Sequence, residues 1–102
     1  MNIENITEIG NYRFNADKNA FLKETRGINF DDVVKNTEID RSVLGVVNNP
    51  NPKYTDQGII EILIDGYPCS APFVVDSDGK VFLKTVYRDR KLLVKYNIKY
   101  EK

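Results

Sequence analysis

The sequence predicts an α+β domain in two layers: two helices near the N-terminus, an antiparallel sheet of four to five strands, and a C-terminal helix. Three observations predict it. Helix-capping residues bracket two short amphipathic stretches between residues 15 and 36. Runs of β-branched residues, separated by turn residues, fill residues 43–87. From Arg90 the apolar residues return to helical spacing. Sequential antiparallel strands need only hairpins between them, and helices can then cover one face. At 102 residues the chain is expected to be one domain.

Tyr12 and Phe14 alternate with polar residues, which predicts a short edge strand. Asn15 then caps a helix over 16–26 whose apolar side is Ala20, Phe21 and Leu22, and Gly27 supplies the left-handed stop. Asn29 is a second cap. Asp31 and Asp32 fall in the first turn of a helix over 30–36, where carboxylates complement the dipole, with Phe30, Val33 and Val34 buried. Capping explains this acidic pair without a metal or a catalytic role.

Val43–Val47 reads as a strand, followed by the one long loop, residues 48–57, with two prolines and three asparagines. Lys53 and Tyr54 are its expected contact residues. Residues 59–64 form a strand, Asp65-Gly66 a hairpin turn, and 67–75 the returning strand. Pro68 and Pro72 are expected to confine that strand to an edge or a bulge. Cys69 within it reads as a small core residue. Asp76-Ser77-Asp78-Gly79 resembles the start of a calcium loop, but later acidic ligands are missing and Tyr87 stands where the closing glutamate belongs. Residues 81–87 alternate as a strand, with Val81, Leu83 and Thr85 on one face and Phe82, Lys84 and Val86 on the other. A helix over 90–99 places Leu92, Leu93, Tyr96 and Tyr100 on an apolar stripe, flanked by Lys91, Lys95, Lys99 and Lys102.

Charge is polarised along the chain. Residues 80–102 hold eight basic and two acidic side chains, net +6, and residues 1–79 hold seven basic and thirteen acidic, net −6. Tyr87, Tyr96 and Tyr100 interleave with the cations, the composition that neutralises phosphates and stacks on bases. A solvated lysine-rich helix face accounts for the same charges. The chain has no histidine and one cysteine, which excludes His-dependent triads, imidazole metal sites and an internal disulfide. Catalysis would fall to Lys, Arg, Tyr, Asp or Glu. No cofactor is expected. No apolar run reaches the ~20 residues of a membrane span, and the N-terminus lacks the pattern of a signal peptide. A cytoplasmic protein with no membrane partner is the expectation.

Three segments carry a resemblance. They are Phe14-Asn15-Ala16-Asp17-Lys18-Asn19, the junction Arg26-Gly27-Ile28-Asn29-Phe30-Asp31-Asp32-Val33, and Lys84-Thr85-Val86-Tyr87-Arg88-Asp89-Arg90-Lys91 followed by Tyr96. In this order they resemble the BrnT family of bacterial toxins, within the RelE/ParE-type superfamily, across residues 14–96. The resemblance implies a RelE-like fold and the toxin of a type II toxin–antitoxin pair. It implies a metal-independent ribonuclease cleaving mRNA, held inactive by a small DNA-binding antitoxin. In such chemistry the 2′-hydroxyl attacks the adjacent phosphate, cations stabilise the developing charge, and other groups move protons.

Carried over by position, Arg90 is the phosphate-binding cation. Arg26 stands where the family has a histidine before Gly-Ile. Thr85 stands where it has the first arginine of the strand motif, with Lys84 adjacent. Arg26 and Lys84 are therefore the candidate replacement cations, and Tyr96 the candidate for proton transfer or stacking. Arg88, Lys91, Lys95, Lys53, Tyr54 and Tyr87 are candidate RNA contacts. The two departures motivate the alternative, a toxin-like module that binds protein or RNA without cutting. An antitoxin would be expected to cover the basic surface with acidic residues.

Overall fold

The computed structural model describes residues 5–100. Strands β1 (Ile6–Ile9) and β2 (Tyr12–Asn15) lead into helices α1 (Ala16–Arg26) and α2 (Phe30–Glu38). Strands β3 (Val43–Asn48), β4 (Gly58–Ile64), β5 (Tyr67–Val75), β6 (Val81–Leu83) and β7 (Tyr87–Arg88) follow, and α3 (Lys91–Lys95) ends the order. The class is α+β, with seven strands rather than four or five. The sheet runs β1-β2-β6-β5-β4-β3, and β7 pairs β5 beyond the end of β6. All pairings are antiparallel except β2 with β6, which is parallel because two helices and a meander intervene before the chain returns.

The caps act as the residues dictate. The Asn15 side chain accepts from the Lys18 amide at 2.9 Å, and Gly27 closes α1 at φ 72°. Asn29 and Asp32 form a reciprocal capping box on α2. One core lies between the two helices and the sheet. Leu22, Ile28, Phe30, Val33 and Val34 meet Phe14, Ile60, Ile62, Cys69, Ala71 and Leu83, and the Phe14 and Phe30 rings are 5.1 Å apart. Cys69 is fully buried there. Ile60, Ile62 and Ile64 face these helices. Ile59, Glu61 and Leu63 alternate to the other face, where α3 packs with Leu92 buried. The C-terminal helix therefore adds a partial third layer.

Several expectations are corrected. The strand at 12–15 is not an edge, because β1 pairs it on its outer side. Ala20 and Phe21 are exposed, and Leu22 alone anchors α1. The predicted strand 81–87 is two strands. β5 is central despite its prolines, and Pro72 has no N–H to give its neighbour. The Lys84 amide still reaches the Pro72 carbonyl at 2.8 Å, but the ladder stops there and resumes at Tyr87 opposite Ser70. The intervening residues bulge, so Val86 turns into the core beside Leu83 instead of opposite it. The last helix is five residues, not ten. Asn97 adopts φ 52°, and the Ile98 amide bonds the Leu93 carbonyl at 2.8 Å, a left-handed stop. Tyr100 leaves the apolar stripe and meets the Tyr67 ring edge-on at 4.9 Å. Lys102 lies outside the described residues.

Candidate nucleic-acid interface

Lys18 is the third residue of α1, a position whose amide is held by the Asn15 cap. A cation there opposes the helix dipole, so helix stability does not explain it. At the end of β6, Lys18 and Lys84 line a hollow with Asn15 and Phe82. The break imposed by Pro72 puts Lys84 at this place. The residue follows β6, is exposed, and holds its ammonium 5.3 Å from the Phe82 ring centroid.

The same two lysines line an adjoining groove of about 360 Å³. Pro72 and Thr85 contribute to its lining. Tyr54, from a single 3₁₀ turn in the long loop, and Tyr87, from β7, contribute aromatic surface. Asn49 and Gln57 enter from the two ends of that loop. Among the described residues no carboxylate lines either hollow.

Arg26 completes the cationic cluster. Its Nη1 donates to the Val86 carbonyl at 2.8 Å and to the Thr85 hydroxyl at 3.4 Å. Arg88 returns the contact, donating to the Arg26 carbonyl at 2.7 Å. The two guanidiniums thus fasten the last turn of α1 to the bulge carrying Lys84. Among the described residues Lys18, Arg26 and Lys84 form no ion pair. The Lys18 pKa is held below the ordinary lysine value by partial burial, then by the charges of Arg26 and Lys84. Repelling cations without a counter-charge suit an anion.

A second constellation lies on the same face as α3. Glu61, 5% exposed on central strand β4, accepts from the Tyr96 hydroxyl at 2.5 Å and from the Lys95 ammonium at 2.7 Å. Its pairing partner across the ladder is Gly45, where a Cβ would sit 2.5 Å from the Tyr96 hydroxyl oxygen. Glu61 raises the pKa of both Lys95 and Tyr96. Beside it the Ser70 hydroxyl donates to Asp89 at 2.9 Å, and Asp89 accepts from the Lys91 amide at 3.2 Å.

The predicted site residues therefore divide. Lys84, Tyr54 and Tyr87 line the cationic groove, Arg26 bonds its Thr85 from outside the lining, and Arg88 bonds Arg26. Lys53 is exposed on the turn that carries Tyr54. Lys91 lines a different cleft, with Glu61, Ser70 and Asp89. Tyr96 and Lys95 are committed to Glu61. Arg90 is exposed just before α3, and its side chain has no hydrogen-bond or ion-pair partner among the described residues. Lys18, Asn49, Gln57 and Glu61 were not singled out from the sequence. A lysine in a helix's first turn was the available signal for Lys18, and a lone carboxylate inside an apolar strand was the signal for Glu61. The chain matches no protein-family model, no curated protein and no solved structure. Among the described residues no helix is long and apolar enough to cross a membrane.

Proposed function

We propose that this chain is an RNA-binding ribonuclease of the RelE/BrnT type, the toxin of a type II toxin–antitoxin pair acting in the cytoplasm. The observation that carries the reading is the convergence of Lys18 and Lys84, with Arg26 bonded to Thr85 beside them, on a groove bearing Tyr54 and Tyr87 that no carboxylate lines among the described residues. Phosphate contacts and aromatic stacking together are the means of holding single-stranded RNA.

A phosphodiester seated between Lys18 and Lys84 would have its equatorial charge met by those ammonium groups and the free N–H groups of Arg26. The 2′-hydroxyl would give up its proton to solvent as its oxygen attacks phosphorus, and as the P–O5′ bond breaks Lys18, its pKa lowered, is suited to protonating the departing 5′-oxygen. The chain offers no histidine and the groove no carboxylate, so charge stabilisation does most of this chemistry without a metal. Tyr96 has a positioning role in this scheme, through α3. Arg90 remains a contact for RNA or for an acidic antitoxin.

The test is induced expression in a bacterial host of wild type, Lys84→Ala and Arg90→Ala, with total RNA examined. Growth arrest and RNA loss for wild type, abolished by Lys84→Ala, are expected. Intact RNA and normal growth for wild type would sink the nuclease assignment. Salt-sensitive RNA retention by such an inactive wild type would point to the non-catalytic binding module. Arrest that survives Arg90→Ala but not Lys84→Ala would place the phosphate at Lys84.

A further inference from the structure

The long loop fixes the direction of two side-chain amides, and that direction says which base the groove accepts. The Asn51 backbone N–H donates at 3.0 Å to the Asn49 side chain. A donor can face only the oxygen of that amide, so the Asn49 Nδ2 must point the other way. It donates to the Gln57 side chain at 3.1 Å, which makes the Gln57 contact atom Oε1. The remaining polar atom of Gln57, Nε2, has no protein partner among the described residues. Gln57 lines the groove with Tyr54, Tyr87, Lys18 and Lys84.

The polar heads left to the ligand from Gln57, Lys18 and Lys84 are therefore all donors. Flipping Gln57 to offer an acceptor would set its Nε2 against the Asn49 Nδ2. That would cost the donor–donor clash and a lost bond. Tyr54 and Tyr87 are 45% and 36% exposed, and neither ring pairs with another ring among the described residues, which leaves aromatic surface for stacking.

We infer that the groove is a guanine-selective base site, in which a purine stacks on Tyr54 or Tyr87 and Gln57 Nε2 donates to its Hoogsteen edge. That edge of guanine presents two acceptors, O6 and N7. On adenine the amino group replaces O6 and would set a donor against Gln57 Nε2. This inference rests on the RNA-binding reading above and adds the base preference. Asn49 is a positioning residue here, since it acts only by fixing Gln57.

The experiment is fluorescence anisotropy with 2′-O-methyl cytidine pentamers carrying one central guanine or adenine, which bind without being cut. Wild type is expected to favour guanine about tenfold. Gln57→Glu keeps an oxygen for Asn49 but presents an acceptor to the ligand. It should erase or reverse the preference, and any uniform loss from its charge cancels in the ratio. Asn49→Asp still accepts from Asn51 but offers Gln57 only an acceptor, so the Gln57 amide should flip and the ratio should fall to one or reverse. Equal binding of both pentamers by wild type, or a preference for adenine, overturns the guanine site while leaving RNA binding intact. A guanine preference that survives Gln57→Glu also overturns it, because another group would be reading the base. Failure to bind either pentamer overturns the RNA-binding reading itself.

Discussion

Replacing Gly45 with alanine should destabilise the protein only while Tyr96 keeps its hydroxyl. The added Cβ would stand 2.5 Å from the Tyr96 oxygen, 3.7 Å from its Cζ and 3.7 Å from Glu61 Oε1. Only the first of these is a clash. Gly45 is not among the residues with positive φ, so alanine suits its backbone. A compatible glycine-to-alanine change typically gains ~0.4–1 kcal/mol through the unfolded chain. Against that stands the hydroxyl's bond to a buried carboxylate, worth ~1.5–3 kcal/mol for a charged acceptor. The net expectation is a loss of about 1–2 kcal/mol in urea unfolding. In a Tyr96→Phe background the clashing atom is absent, and the same alanine should be neutral or stabilising by up to about 1 kcal/mol. The double-mutant cycle isolates the difference. An equal cost of Gly45→Ala in both backgrounds would refute the argument that Gly45 is small to admit the Tyr96 hydroxyl to Glu61.

Lys18 gives an alkaline signature. Its folded pKa lies below its unfolded value, so in the window between them the unfolded chain binds more protons and stability rises with pH. The cost of its partial burial, and with it the repulsion from Arg26 and Lys84, is fully present below the folded pKa and is lost as pH rises through that window. Lys18→Met should therefore raise thermal stability slightly near neutral pH, by at most about 1 kcal/mol, and the gain should shrink in alkali. A gain independent of pH in paired melts would count against the cluster. Cys69 is fully buried, and burial pushes its thiol up to about 11. A thiol reagent at pH 8 should label it only as the protein unfolds, and labelling of the native protein at the rate of an exposed thiol would contradict its placement.

Much of the scaffold was legible because local chemistry decides it. Asn15, Gly27 and Asn29 mark helix ends through bonds to residues three or four away. The Asp65-Gly66 turn joins β4 to β5 for similarly local reasons. What failed depends on distant neighbours. Whether Pro72 sits on an edge depends on which side of β5 a later strand approaches, and 59–64 cannot say which face α3 will cover. Asn97 could have been read as a helix stop, but the lysine periodicity around it suggested continuation. At the groove, the residue types were legible and the assembly was not. Lys84, Tyr87 and Arg26 stood in quoted segments, but only the fold sets them beside Lys18 and apart from Arg90 and Tyr96.

The parallel pairing of β2 with β6 has a consequence for synthesis. Tyr12 finds its partner in Val81, so the centre of the sheet closes a loop spanning most of the chain. Such non-local pairing makes for slow folding and delays the native sheet until the C-terminal segment has left the ribosome. The segment that completes the sheet also carries Lys84, Tyr87 and Arg88. A nascent or truncated chain ending before Val81 would lack the sheet's closing strand together with Lys84, Thr85 and Tyr87 of the groove. The groove is therefore assembled only once the segment from Val81 onward has been made and has paired with β2 and β5.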